Sequence, residues 1–297
     1  MTVQKWLLPV STGAFLSFLA CPAFADCPEL PSWYKLKGAL TTVVSNGGNG
    51  GLGFNMWATL VATDGTVCAV AFSGNAYTDQ WLGSRVISAQ KANTANDFSL
   101  GKGSTPASSA FGTNGLALST ANLFTAVQPG GSLYGLQHSN PVDPEIAYGN
   151  GNGQRGLAPA SFQAGPRSAL TFGTQNDPMV GLRVGGVNVF GGGLALYHNG
   201  TKVGGLGVSG DTSCTDHMVA WRVRSALSLD SFSGVPGVSG DSTHPDNIVF
   251  DITANPDGTG GTGQAPNGTG GVGKSAGGFG HPKCLNNPDP TTLPPVK

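Results

Sequence analysis

His217 is the residue of this chain best placed to bind a metal. It directly follows Asp216, and Ser213 and Asp216 form an S-x-x-D pattern, which is typical of the first turn of a helix. The N-terminal end of a helix disfavours the imidazolium form, so a ring nitrogen of His217 stays available to ligate iron. The alternative is a histidine that only caps the helix or lies on the surface.

Two further candidate ligands lie in or just after the turn at residues 133–136. His138 follows this turn and opens a long irregular segment, where a loop residue can reach a ligand. Tyr134 lies within the turn; its phenol oxygen can ligate iron, or its ring can stack on a flat aromatic ligand. The alternatives are a solvated loop histidine and a tyrosine that packs into the core.

Lys91 lies on the apolar face of a predicted helix. It falls within about a third of the helix circumference together with Ile87, Thr94 and Phe98. A charge on such a face is costly unless the ammonium group reaches water or an anion. Lys91 therefore either extends to solvent or meets an anion such as a propionate or a carboxylate, and Thr94 belongs to the same candidate binding site.

The elements that position these residues follow from hydrophobic periodicity and turn residues. Apolar residues at helical spacing predict helices at residues 32–44, 84–98, 116–127 and 213–229. Runs of strand-forming residues predict strands at residues 54–62, 67–72, 186–197 and 202–209. Asp64-Gly65 and Asn199-Gly200 are tight-turn pairs, so the strands are expected to form two β-hairpins.

Gly205, Gly207 and Gly210 have the G-x-G-x-x-G spacing of a dinucleotide-binding turn. That turn requires a parallel strand before it and a second βα unit after the helix, whereas these glycines lie in a hairpin strand with an antiparallel partner. We therefore interpret them as positions where a helix or a flat ligand approaches the sheet backbone closely.

Composition and the N-terminal segment restrict the partners and the location. The 297 residues include 15 basic and 16 acidic side chains, so no net charge attracts nucleic acid or an anionic membrane. A basic residue, an apolar run and the Ala23-Phe24-Ala25 motif predict an export signal at residues 1–25. No other stretch approaches the ~20 apolar residues that span a bilayer, so we expect a periplasmic or secreted protein.

Four cysteines remain after removal of the signal: Cys27, Cys68, Cys214 and Cys284. An even number in an oxidising compartment predicts two disulfides, although four cysteines allow three pairings and the sequence does not choose among them. Cys27 and Cys284 lie outside the regular elements. One option therefore ties the two ends of the chain together and leaves Cys68 to pair with Cys214 in the core.

The chain divides into three parts after the signal. Residues 26–252 hold the periodic segments and form the predicted domain. Within it, residues 137–182 lack sustained periodicity and are interpreted as a long loop insertion. Residues 253–297 are rich in glycine and proline, which predicts a flexible tail unless Cys284 anchors its far end.

Three sequence blocks resemble the GlcG/HbpS family of haem-binding-type proteins. They are GGVNVFGGGLALYHNGTKVGGLGVSGDTSCTDHMVA at residues 185–220, ISAQKANTA at 87–95 and QPGGSLYGL at 128–136. The resemblance implies an α/β sandwich, α+β in its arrangement, with a five-stranded antiparallel sheet, flanking helices, profilin-like topology and often a homo-oligomer. It also implies haem or a related tetrapyrrole as the small-molecule ligand.

The sequence therefore leads to an exported, non-enzymatic binding protein for a tetrapyrrole, with His217 as the first choice of iron ligand. Two alternatives remain open: an exported enzyme that acts on a small organic acid through Lys91, and a structural or assembly module. A serine hydrolase is less favoured. Ser209 lies in GVSGD rather than G-x-S-x-G, and the Asp241 to His244 cluster consists of near neighbours in a loop, which seldom form a catalytic triad.

We expect the mature chain to begin at Asp26 and to contain no free thiol, because the cleavage motif ends at Ala25 and the four remaining cysteines form pairs. Intact mass with and without alkylation measures both properties. Alkylation of two or more cysteines in the unreduced native protein would contradict the disulfides.

Overall fold

A four-stranded sheet forms the centre of the computed structural model, which describes residues 27–104, 114–148, 169–250 and 278–297. The helices are α1 (Trp33–Ser45), α2 (Gly83–Asp97), α3 (Leu123–Ala126), α4 (Leu136–Ser139), α5 (Pro144–Ala147) and α6 (Ser213–Ala226). The strands are β1 (Trp57–Val61), β2 (Val67–Phe72), β3 (Gly193–His198) and β4 (Thr201–Ser209). The predicted export signal lies outside the described residues. None of the helices in the described ranges is both long and apolar enough to cross a bilayer.

Two antiparallel hairpins make the sheet, in the strand order β2-β1-β4-β3. Asn199 and Gly200 both have positive φ at the β3–β4 turn, as a two-residue hairpin turn requires. The hairpins join through β1 and β4, where Thr59 lies opposite Gly207. Both predicted hairpins are confirmed, and the sheet is antiparallel throughout.

The described residues form four strands rather than the five that the family resemblance implied. The strand predicted at residues 186–197 begins only at Gly193. The reason lies in the backbone before it, where Gly185, Gly186 and Gly192 have positive φ values of 66°, 83° and 110°. Extended strand geometry requires negative φ, so residues 185–192 form a loop instead.

Helices cover both faces of the sheet, which gives the α/β sandwich expected from the sequence. Side chains of β1 alternate between the two layers. Ala58 and Leu60 join the core formed with α1 and α6. Trp57 and Val61 join the core formed with α2. The resulting architecture places the N-terminus of α6 at the same end of β4 as the middle of α2.

The glycines of β4 allow α2 to lie unusually close to the sheet. A Cβ atom at Gly207 would lie 1.9 Å from the carbonyl oxygen of Ser88, and one at Gly205 would lie 2.2 Å from that of Ala92. Beside this contact, the hydroxyl groups of Thr59 and Ser88 are 2.7 Å apart. The expectation of a close approach therefore holds for a helix, and α2 occupies the space that a flat ligand would need at this point.

The disulfides differ from the option considered in the sequence. Cys27 pairs with Cys68, and Cys214 pairs with Cys284. The segment before α1 lies beside β2, and the segment around Cys284 lies against the N-terminus of α6. Each disulfide thus ties a flanking segment to the neighbouring core element, and neither joins the two ends of the chain.

The last twenty residues pack on the core, which is the exception that the sequence allowed for a tail anchored by Cys284. The indole of Trp221 donates to the carbonyl oxygen of Pro294 at 2.8 Å. The backbone amide of Phe232 donates to the backbone oxygen of Lys297 at 2.6 Å. Leu293 is buried as well. These contacts and the Cys214–Cys284 disulfide anchor the segment. Residues 251–277, the glycine-rich part of the predicted tail, lie outside the described residues.

The segments on either side of residues 149–168 are also built into the domain. The buried guanidinium group of Arg85 pairs with Asp177, and Met179 is fully buried. The carboxylate of Asp177 also accepts from the amide of Gly173 at 2.8 Å. The described part of the predicted insertion therefore packs against α2. Residues 149–168 lie outside the described residues.

The helix predicted at residues 116–127 is shorter in the structure, where only α3 (Leu123–Ala126) is helical.

We expect Gly207→Ala to lower the free energy of unfolding by about 3 kcal/mol or more, because a methyl group cannot fit against the carbonyl of Ser88. Gly38→Ala is the matched control. Gly38 is exposed in α1 with no atom near its missing Cβ, so alanine should stabilise the helix by up to about 1 kcal/mol. Urea unfolding of both variants and the wild type measures the difference. A Gly207→Ala variant as stable as the wild type would contradict the close approach.

Candidate functional site

Two of the predicted site residues, His217 and Lys91, meet at the start of α6, beyond the end of β4. Thr212 is the N-cap, and its side chain accepts from the amide of Thr215. Ser213, which the S-x-x-D pattern suggested as the cap, is instead the first helical residue, and its Oγ accepts from the amide of Gly191 at 2.6 Å. The first turn of α6 is thereby joined to the loop 185–192 that precedes β3.

Lys91 and Asp216 form a buried ion pair across this end of the sheet. Lys91 Nζ lies 2.7 Å from Asp216 Oδ2 and donates to the carbonyl oxygen of Val208 at 3.1 Å. Both side chains are almost completely buried. Burial raises the pKa of Asp216 to about 6 and lowers that of Lys91, because both charged forms lose water, and their mutual attraction opposes both shifts. Lys91 thus meets a carboxylate of its own chain and does not reach solvent.

Glycine makes this ion pair possible. A Cβ atom at Gly192 would lie 2.9 Å from Cβ of Asp216, and one at Gly193 would lie 2.5 Å from the carbonyl oxygen of Lys91. The second carboxylate oxygen of Asp216 accepts from the amide of Asp211 at 2.9 Å. Asp216 is therefore held from both sides and fixes the first turn of α6.

His217 is fully buried in the next position of the helix. Its Nε2 lies 3.2 Å from Oδ1 of Asn247, whose own Nδ2 donates to the carbonyl oxygen of Pro290. The backbone amide of Ile248 donates both to Asn247 Oδ1, at 2.8 Å, and to His217 Nε2, at 3.1 Å. Nε2 thus lies between an acceptor, Asn247 Oδ1, and a donor, the amide of Ile248, and these contacts fix the orientation of the ring. Burial, followed by the charge of Arg224, lowers the pKa of His217 to about 3.

The second ring nitrogen of His217, Nδ1, is buried and makes no hydrogen bond within the described part of the chain. With the proton on Nε2, Nδ1 presents a lone pair. The ring of Trp221 lies 6.0 Å from the imidazole, centroid to centroid. Gly191 also packs against His217: a Cβ atom added at Gly191 would lie 3.1 Å from Cβ of His217. The geometry is that of a neutral imidazole with one nitrogen fixed and the other unpartnered.

The other predicted ligands lie in different environments. His138 is exposed in α4, and Tyr134 is 69% exposed just before it. Both residues therefore lie on the protein surface, whereas His217 lies in the interior. Thr94 is buried, and its Oγ1 donates to the carbonyl oxygen of Gln90 and accepts from the amide of Asn188 at 2.9 Å. Thr94 thus anchors the loop that packs against His217.

His281 is a functional candidate that the sequence prediction missed. Its Nε2 lies 2.6 Å from Ser213 Oγ, and its Nδ1 lies 2.6 Å from the carbonyl oxygen of Pro282. Burial lowers the pKa of His281 to about 4. The residue belongs to the segment predicted as a flexible tail, so no periodicity pointed to it. Its closeness to Cys284 was the one available signal.

The loop around His244 lacks the arrangement of a serine nucleophile and its base. His244 Nδ1 lies 2.8 Å from Asp241 Oδ2, and Nε2 lies 3.0 Å from the carbonyl oxygen of Leu293. The hydroxyl of Ser239 donates to the backbone oxygen of His244 instead of to its ring. Both ring nitrogens are thus engaged, and the group fastens the C-terminal segment to this loop.

A surface groove of about 160 Å³ lies beside the first turns of α6. Asp211 lies at one wall and binds the amides of Leu52 and Phe54 at 2.9–3.0 Å. None of the predicted iron ligands lines this groove. It is therefore separate from the site around His217.

No family model and no curated protein matches the chain. Among solved structures, the Klebsiella pneumoniae protein ORFY, of family DUF336, is 19% identical, with a TM-score of 0.38 over 66% of this chain and 86% of that one. A PduOC:Heme complex is 22% identical, with a TM-score of 0.37 over 65% of this chain and 90% of that one. Likeness at this level carries no argument about function.

We expect Lys91→Met to lower the free energy of unfolding by about 3–5 kcal/mol at neutral pH, because Asp216 is left buried without its partner. The pKa of Asp216 in the folded variant then rises further above its unfolded value. Folding therefore takes up a proton, and the loss of stability becomes smaller as the pH falls toward about 4.

The matched double variant Lys91→Met/Asp216→Leu should recover most of this loss, since it removes both buried charges. Lys35→Met, at an exposed position of α1, serves as the control with no expected effect. Urea unfolding at several pH values measures all four proteins. A loss that is independent of pH, or a double variant as unstable as the single one, would contradict the buried pair.

Proposed function

We propose that this protein is an exported binding protein for haem or a related tetrapyrrole, with Nδ1 of His217 as the iron ligand. The observation that carries the proposal is the buried, unpartnered Nδ1 on an imidazole whose Nε2 is fixed by Asn247. Histidines that ligate metals typically donate their second ring nitrogen to an oxygen, which fixes the tautomer and the ring orientation. The sequence blocks that resemble haem-binding-type proteins support the same ligand class.

The protonation state of His217 suits this role. An imidazole ligates iron only in its neutral form, and the pKa of His217 is lowered to about 3. Protons therefore do not compete for Nδ1 under ordinary conditions. A bound haem would supply visible absorbance and an iron atom that this nitrogen would ligate.

Lys91 does not fit the role of a propionate partner in this site. Its ammonium group already binds Asp216 and the carbonyl oxygen of Val208 and has no exposed surface. The same contacts weigh against the alternative of an enzyme that uses Lys91 on a small organic acid. Lys91 instead stabilises the helix end that carries His217.

Ligand entry requires a segment next to His217 to move, because Nδ1 is buried. The loop 188–192 packs against His217 and is held by three hydrogen bonds: from the amide of Asn188 to Thr94, from the amide of Gly191 to Ser213, and from the amide of Val208 to the carbonyl oxygen of Gly192. Phe190, at the centre of the loop, is 47% exposed. We assign to this loop the role of the cover that opens for the ligand.

We expect hemin to bind saturably and to give a sharpened Soret band, and His217→Ala to shift the band and weaken binding by about 10-fold or more. Since the pKa of His217 is about 3, its ligation should persist from pH 7.5 down to about pH 5. An exposed histidine with an ordinary pKa of about 6.5 would release the iron over this range.

His138→Ala and Tyr134→Phe are the matched controls, because both positions are exposed and lie away from the buried imidazole. They should leave the Soret position unchanged. Far-UV circular dichroism of each variant establishes that it is folded. Non-saturating hemin adsorption by the wild type, or a shifted Soret band in His138→Ala, would contradict the proposal.

A further inference from the structure

The Cys214–Cys284 disulfide has a histidine beside it. Cys214 Sγ, Cys284 Sγ and a ring nitrogen of His281 all lie within 4.8 Å of one another, and Cys214 Sγ is 4.0 Å from His281 Nδ1. Two separate parts of the fold supply these atoms, the first turn of α6 and the C-terminal segment. This is the one such group of metal-binding side chains in the described ranges.

The surroundings of His281 match those of a metal ligand. Its Nε2 lies 2.6 Å from Ser213 Oγ, which is itself fixed by the amide of Gly191. Nδ1 lies 2.6 Å from the carbonyl oxygen of Pro282. If Nδ1 binds a cation, it gives up this hydrogen bond, the ring proton moves to Nε2, and Nε2–H donates to the Ser213 oxygen. A second-shell oxygen that accepts in this way typically orients a ligating histidine. The buried imidazole is also neutral at ordinary pH, so protons do not compete with the metal.

The helix end stabilises the other two ligands in their reactive form. The backbone amide of Cys214, in the first turn of α6, donates to Sγ of Cys284 at 3.2 Å. A hydrogen bond and a helix N-terminus both favour thiolate over thiol. Cys284 is only half-buried, which leaves a route from solvent to the sulfur pair.

We infer that opening of the Cys214–Cys284 disulfide creates a binding site for a divalent transition metal ion of the zinc class. The ligands are the two thiolates and Nδ1 of His281. Zinc bonds of ~2.3 Å to sulfur and ~2.0 Å to nitrogen place such ligand atoms roughly 3.5–4 Å apart, so the sulfurs separate by about 2 Å. The fourth coordination position of the ion is open to water on the side of Cys284.

The chemistry balances with a thiol as the reductant. Two thiol groups of the reductant become one disulfide, and the protein disulfide becomes two cysteine thiols. Binding of the cation then releases two protons, one from each cysteine, and leaves a neutral site of two thiolates and one divalent ion. The metal ion replaces the covalent link between α6 and the C-terminal segment, so the segment stays attached in both redox states.

The second disulfide of the chain provides an internal control. Cys27 and Cys68 also link a flanking segment to the core, but among the residues that the structure describes no histidine or carboxylate completes a group of three with them. Reduction opens both disulfides, yet only the Cys214–Cys284 pair gains a third ligand. The inference therefore predicts one metal ion per chain rather than two.

The experiment uses the full mature chain, reduced with dithiothreitol, freed of reductant without oxygen and titrated with Zn²⁺ against a chromophoric chelator. We expect one Zn²⁺ per reduced chain and no stoichiometric binding by the oxidised chain. Co²⁺ in place of Zn²⁺ should give the absorption of a tetrahedral site with thiolate ligands. The variant Cys27→Ser/Cys68→Ser should still bind one ion after reduction.

His281→Asn, in which the disulfide is retained until reduction, should lower the affinity for Zn²⁺ by about 10-fold or more and change the Co²⁺ spectrum. Circular dichroism follows folding throughout. If reduction loosens the fold, one equivalent of Zn²⁺ should restore it. The inference is overturned if the reduced wild type binds no stoichiometric Zn²⁺, or if Cys27→Ser/Cys68→Ser abolishes binding. It is also overturned if His281→Asn changes neither the affinity nor the Co²⁺ spectrum. A reduced chain that loosens and is not restored by Zn²⁺ overturns it as well.

Discussion

The close approach of α2 to β4 is the constraint on which the rest of this structure depends. Gly205 and Gly207 provide no side chain at the contact, so the backbone of α2 lies directly on the strand. Lys91 then reaches the end of the sheet without extending to solvent, and Asp216 neutralises it there. A side chain at either glycine would separate the helix from the sheet and leave both charges buried without a partner.

The ion pair in turn fixes the residue that carries the proposed function. Asp216 is the neighbour of His217, so the same helical turn that satisfies Lys91 places the imidazole in the interior. Asn247 then holds one ring nitrogen and leaves the other unpartnered. The loop before β3 and the C-terminal segment meet at this helix end as well, through Ser213 and His281. One buried polar region thus connects the core to both candidate metal ligands.

The sequence predicts the local elements well and the long-range pairings poorly. Turn residues such as Asn199-Gly200 identify the hairpins, and apolar periodicity identifies α1, α2 and α6, because these signals act over a few residues. The charge of Lys91 on an apolar face predicts an anion, although not which one. His281 and the pairing of Cys284 were out of reach, because they lie in a segment without periodicity whose position is set by contacts with α6.

Nitrogen-15 NMR of the His217 imidazole tests the central claim most directly, because it reports which ring nitrogen carries the proton. The proposed iron ligation requires a protonated Nε2, which donates to Asn247, and an unprotonated Nδ1, both unchanged between about pH 7.5 and pH 5, since burial lowers the pKa of His217 to about 3. His217→Asn assigns the signals. A proton on Nδ1, or a titration near the ordinary pKa of about 6.5, would contradict the account.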